Sequence, residues 1–385
     1  MPTLQKPSNG LTGLQSKSLV GLLRQEWLLG LNIAVCVMFA TINHVTFARL
    51  VALPLLPVTS VILFALIVAA SMAVVRHAEQ LARRLGEPLG TLVLTLSVII
   101  IEVASISAVM VHGENNPTLV SETLLAVMMI ILNGMVGTSL LVGGWLHREQ
   151  HYNLQGANAY MSVIIPLAAL SLILPDFTQT TPGPMLSFYQ QLFLAAAALG
   201  LYCIFLAIQT GRHREFFSAR NDAMTSIPDE EPTSGPSTLR SAVCLVLYLA
   251  PIIYLAELLA HPIDYLIETL HAPTALGGAI IAVLVATPEA LGAIKAAVGN
   301  EIQRSINISL GSVLSTIGLT IPAMLLIGHF TGRQFQLGLE HSDTVMLILT
   351  LFCTSVTFAS GRTNLLQGYV HILLFVVYIL LIFQN

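Results

Sequence analysis

Apolar residues along this chain fall into blocks of about 20, each long enough to cross a hydrocarbon core about 30 Å thick. Eleven such blocks are predicted, near residues 27–47, 52–75, 89–111, 122–145, 157–175, 188–209, 241–260, 275–298, 303–329, 344–359 and 366–383. Short segments of strict alternation, the mark of a membrane β-barrel, are not what the pattern shows. The expected fold class is all-α, a polytopic membrane protein of about eleven transmembrane helices. Asn32, Asn43 and His44 interrupt the first block, which makes it the weakest.

The longest polar stretch, residues 210–240, contains Pro228-Asp-Glu-Glu-Pro232 and Thr233-Ser-Gly-Pro-Ser237. It reads as a hydrophilic linker that halves the chain. The expected organisation is a polar tail (1–26), a first transmembrane helix (27–47), five helices over 52–209, the linker (210–240) and five helices over 241–385. A solvated charge run is the plain reading of the acidic stretch at 228–232, with weak Ca²⁺ sensing as the alternative.

Composition agrees with the pattern. The chain is 55% hydrophobic and 9% charged, against roughly 25% charged in soluble domains. Residues 1–26 are polar and lack a small-residue cleavage site after an apolar core, so the first span is expected to direct insertion. Cys36, Cys203, Cys244 and Cys353 stand singly and read as packing residues. With the N-terminus placed in the cytoplasm, fourteen of the 16 Lys and Arg residues fall on the inner side, leaving Arg49 and Arg333 outside. Eleven spans then put the C-terminus in the periplasm and the linker inside, as expected of a multi-pass protein of a bacterial inner membrane.

Two acids break the apolar pattern near the centre of their blocks, Glu102 and Glu289. A carboxylate at that depth is costly, and its default reading is an ion or proton pathway. Their surroundings correspond. With the acids aligned, Gly90 falls on Gly277 and Glu114 on Glu301. With nine extra residues in the first loop, Asn133-Gly134 meets Gly311-Ser312, and Thr138 meets Thr316. Each unit has five helices, an odd number, so the second must enter the membrane in the opposite sense. That describes an inverted-topology repeat, with binding expected near the midplane where the repeats meet. The competing reading is a small-residue packing motif.

Two facing carboxylates can hold one divalent cation, or one or two protons, but not remain both charged and empty. Such mutually exclusive occupancy is the physical basis of exchange. Ser97, Thr138, Thr287, Ser312 and Ser315 could add hydroxyl oxygens, although back-bonding to their own helix is the commoner use of such groups. Pro288 cannot donate an N–H, which frees a carbonyl near Leu284. Glu257 is either a proton stop on an access path or an acid at the outer interface. His261, Asp264 and Glu268 are expected in an outer loop, and Lys295 at the inner surface. No transition-metal site and no cofactor are expected.

These residues resemble the calcium/cation antiporter superfamily, and within it bacterial Ca²⁺/H⁺ antiporters of the cation-exchanger type. The likeness covers spans two to eleven. It rests on Pro288-Glu289 followed by Gly311-Ser312, on Ala256-Glu257-Leu-Leu, and on the turn Ser360-Gly-Arg-Thr-Asn-Leu-Leu-Gln-Gly368. The resemblance implies outward cation movement against inward H⁺, with Glu102 and Glu289 as the essential exchange carboxylates. The chain departs from the usual motif where Ile99 and Ala286 replace asparagine and Ser315 replaces glutamine. This poorer pattern is closest to a subgroup for which Na⁺ and K⁺ are also proposed substrates. A cation channel is the first alternative, but two acids do not make a selectivity ring. An intramembrane enzyme is the second, but no HExxH or serine–histidine arrangement stands out.

Overall fold

A computed structural model of the chain describes residues 26–42, 46, 49–50, 54–86, 88–112, 117–181, 183–217, 238–333 and 336–384. The acidic stretch at 228–232, most of the linker, Glu114, and Asn43 and His44 lie outside the described residues. The described residues form eleven helices: α1 (Trp27–Thr41), α2 (Leu56–Leu85), α3 (Leu89–His112), α4 (Leu119–His147), α5 (Leu154–Phe177), α6 (Phe188–Arg212), α7 (Thr238–Thr269), α8 (Thr274–Val298), α9 (Ile302–Thr331), α10 (His341–Thr357) and α11 (Leu365–Ile382). All but α1 and α10 are at least 18 residues long and apolar enough to cross a membrane. No strand longer than an isolated bridge, His151 with Arg362, occurs among the described residues.

The helices follow the apolar blocks because only intrahelical bonding satisfies a backbone in hydrocarbon. They depart from them where polar turns continue a helix past the bilayer. α2 runs ten residues beyond its apolar block, and its last turns bury His77 and Leu81 while Arg83 and Arg84 stay in water. α7 likewise continues through His261 and Pro262 into a π-turn at Tyr265–Thr269. His261, Asp264 and Glu268 are therefore helical, which corrects the expectation of a loop. The helix runs on through Pro262 as it does through Pro251.

α4 and α9 are the most enclosed helices, whereas α6 and α11 present much of their surface outward. α2 packs along α7, α4 along α8, and α9 lies against α3, α5, α6 and α8. The acid-bearing helices α3 and α8 touch each other as well. α1 leans on α2 and α7, where Glu26 Oε2 accepts from Arg76 (3.0 Å) and Tyr248 (3.0 Å) and meets His77 Nε2 at 3.4 Å. Cys244 also lies within ligand reach of Glu26 and His77. Arg76 and Arg240 flank the same carboxylate, so the group is built as an ion pair rather than a metal cage.

Candidate functional site

Glu102 and Glu289 lie near the middles of α3 and α8, and α9 passes both. Each carboxylate takes its side-chain hydrogen bonds from α9. Ser312 donates to Glu289 Oε2, while Thr316 (3.1 Å) and Thr320 (2.9 Å) both donate to Glu102 Oε2. Ser312, Thr316 and Thr320 are four residues apart in sequence, so they line one face of the helix. The two acids are within electrostatic reach of each other.

Their exposure differs. Glu102 is 1% accessible, and its Oε1 is buried with no hydrogen-bond partner among the described residues. Glu289 is half-buried and lines a cavity of about 280 Å³. Pro288, Gly292, Ser312 and Ser315 surround the acid, and Tyr160, Gln209 and Asn307 continue the wall toward Glu79 and Arg304. Arg304 is exposed, so the cavity has its mouth there. Ser312 is eight residues further along α9, so the cavity descends about 12 Å from Arg304 to Glu289 at 1.5 Å per helical residue. Glu102 is not among its lining residues.

The other expected hydroxyls divide. Ser315 lines the cavity but donates to the Ser312 carbonyl (2.9 Å). Ser97 and Thr138 bond back to Val93 and Gly134 at 2.7 Å, and Thr287 bonds back to Val283. Four of the five therefore serve their own helices, the ordinary use of Ser and Thr in apolar helices, and Ser312 alone of the five donates to a carboxylate. Glu257 is exposed on α7 and is not a lining residue of the cavity.

Thr316 and Thr320 are the functional residues that sequence reasoning missed as ligands. Thr316 entered only as the repeat partner of Thr138. The hydroxyl stripe at 312, 316 and 320 was the available signal. Asn133, aligned with Gly311, serves another purpose: it donates to Thr350 Oγ1 (2.8 Å), and its Oδ1 meets His371 Nδ1 at 3.1 Å. His371 Nε2 in turn pairs with Thr357 Oγ1 at 3.0 Å. α4 is therefore joined to α10 and α11 through a buried neutral network. At the end of the molecule away from Arg304, Glu122, Glu340 and Asp343 line a smaller cavity of about 120 Å³.

Chemically, the arrangement offers two carboxylates that can each exchange a proton for a cation, one lining a cavity and one sealed. Known proteins resemble this chain over most of its length. The chain is 39% identical over 319 residues to the sodium-potassium/proton antiporter ChaA of Escherichia coli K12, covering 82% of this chain and 86% of that protein. It is 41% identical over 348 residues to the putative ionic transporter y4hA of Sinorhizobium fredii, covering 90% and 93%. Among solved structures, native YfkE shares the fold with a TM-score of 0.69 at 16% identity, covering 94% of this chain and 99% of that one. The sodium/calcium exchanger protein family matches residues 55–211 and 240–384, and with 302 of 385 residues inside that match the chain belongs to this family of membrane ion transporters.

Proposed function

We propose that this protein is a proton-coupled cation antiporter of a bacterial inner membrane, in which Glu102 and Glu289 alternately hold cation and protons. The protein is a transporter and not an enzyme. The observation that carries the reading is the pair of carboxylates near the middles of α3 and α8, bound by one helix, with one open to a cavity of about 280 Å³ and the other shut away.

Orientation follows from charge. Arg83, Arg84, Arg212, Arg214 and Arg240 cluster at the end where Glu79 and Arg304 mark the cavity mouth, so that end is read as cytoplasmic. The structure is then inward-open: cation from the cytoplasm descends to Glu289 and displaces its proton. Occupancy next spreads to Glu102, and the inner cavity closes as the outer side opens. Protons arriving from the periplasm drive the return.

Ca²⁺, Na⁺ and K⁺ are the candidate cations. Ca²⁺ takes 6–8 oxygens. Here the positions at 99 and 286 are Ile and Ala, both buried and without side-chain oxygen. Ser312 donates to Glu289, and Ser315 lines the same cavity. This sparse shell favours Na⁺ or K⁺ as partners alongside Ca²⁺, in keeping with the name of the E. coli relative. Purified protein in liposomes containing a pH dye tests this. Addition of one cation at a time should alkalinise or acidify the lumen according to the imposed gradient. A lumen that ignores all three cations from pH 6.5 to 9 refutes the proposal.

A further inference from the structure

The repeat leads to an expectation that the structure does not meet. Two related halves should each provide hydroxyls to the acid of the other half, from α4 to one carboxylate and from α9 to the other. Instead α9 serves both. Gly134, which aligns with Ser312, has no side chain to offer, and Asn133 spends its amide on Thr350 and His371. Glu102 is held by Thr316 and by Thr320, one turn further along α9.

These threonines behave unlike the hydroxyls around them. Ser97, Ser105, Thr138, Ser309 and Thr354 all return their proton to the carbonyl four residues back. Thr316 and Thr320 give theirs to a carboxylate. Local backbone explains how two residues four apart reach one oxygen. Residues 316–320 form a π-turn, which fits more residues per turn and rises less for each, so the two side chains converge more closely than on an α-helix. Gly318 makes room for the wider turn: a Cβ there would sit 2.9 Å from Tyr202 Cβ on α6. The β-branch of each threonine limits its χ1 choices and fixes the hydroxyl direction.

We propose that Thr320, with Thr316, is a positioning residue for the exchange reaction. It rests on the antiport reading above. The pair pins Glu102 Oε2, so that Oε1, buried and without a partner, is the atom that takes the proton or faces the cation. The hydroxyls donate and therefore support the ionised carboxylate. Without them Oε2 loses its anchor and Oε1 is no longer held in place to meet the ion. Because Ser312 rides on the same helix, a shift of α9 that frees Glu102 also changes the contact to Glu289, so α9 couples the two acids.

The test compares wild type with Thr320→Val and Thr320→Ser in everted membrane vesicles, reading the apparent KM for Na⁺, K⁺ and Ca²⁺ and the maximal rate at one pH. Valine keeps the shape and removes the donor; serine keeps the donor. Loss of a donor to a charged group should raise the apparent KM for cation about tenfold in the valine variant while the maximal rate holds. The serine variant should stay close to wild type. An unmoved KM in Thr320→Val overturns the inference, as does an equal rise in Thr320→Ser, which would mean packing rather than the hydroxyl matters. If Thr320→Val does not reach the membrane, Thr316→Val carries the same comparison with the same two outcomes. A wild type inert to every cation would instead refute antiport itself, so the two failures are separable.

Discussion

Ser312→Ala isolates the contribution of one hydroxyl to cation binding. The serine donates to Glu289 Oε2 from the wall of the cavity, and its own carbonyl still accepts from Ser315 after the change. One oxygen is removed from a site that water already reaches, so packing should hold. A hydrogen bond to a charged group contributes about 1.5–3 kcal/mol. At 1.36 kcal/mol per factor of ten, that is roughly 10- to 150-fold. Glu289 is half-exposed to the cavity, so water replaces part of the lost donor, and the lower end of the range applies. The apparent KM for cation should rise about tenfold while the maximal rate changes little, because chemistry at Glu102 is untouched. Dequenching of an acridine dye in energised everted vesicles, titrated with Na⁺, K⁺ and Ca²⁺ in turn, reads both parameters. An unchanged KM, or a collapsed maximal rate at constant KM, would refute the assignment of Ser312 to the cation shell.

Other outcomes follow from the same geometry. Protons and cation compete for the same carboxylates, so stability of the bound cation is lost as pH falls. Apparent KM should rise about tenfold per pH unit for each proton displaced, and a KM flat with pH contradicts shared occupancy. Val75→Cys lines the cavity and should react with a membrane-impermeant thiol reagent in everted but not right-side-out vesicles; the reverse pattern would invert the assigned orientation. Gly278→Val should push α8 away from α4, since even a Cβ would meet the Thr123 backbone nitrogen at 2.9 Å, and overpacking of this kind costs about 1–3 kcal/mol, visible as a lower melting temperature in detergent. Glu26→Gln should weaken the seat of α1 only mildly, because Arg76 is half in water, and should leave the exchange rate near wild type.

Much of this architecture was written in apolar block length, because a bilayer punishes every unsatisfied backbone group and leaves helices as the solution for such blocks. The acids were legible for the same reason: Glu102 and Glu289 are expensive where they stand. Helix ends were not. Amphipathic turns such as His77–Leu85 and 261–269 continue a helix beyond hydrocarbon, where hydropathy no longer reports on it. The hydroxyls were harder still. Ser97, Thr138 and Thr287 look as suitable as Thr320, and only the rotation of each helix decides which donate to a carboxylate and which fold back on themselves. The π-turn that aims Thr316 and Thr320 has no hydropathy signature. Nor does the pairing of Asn133 with His371, 238 positions apart, which uses the Asn at the repeat position for packing.

The most direct measurement is cation-driven proton movement by wild type, Glu102→Gln and Glu289→Gln in the same liposomes, with each variant shown to be folded and inserted. Glutamine keeps the shape at both sites and can still accept from Thr316, Thr320 or Ser312, but it can neither ionise nor carry a proton. The account predicts exchange in wild type and none in either variant, with Na⁺, K⁺ or Ca²⁺ alike. Coupled exchange surviving in either variant would contradict the claim that the two carboxylates carry the ions.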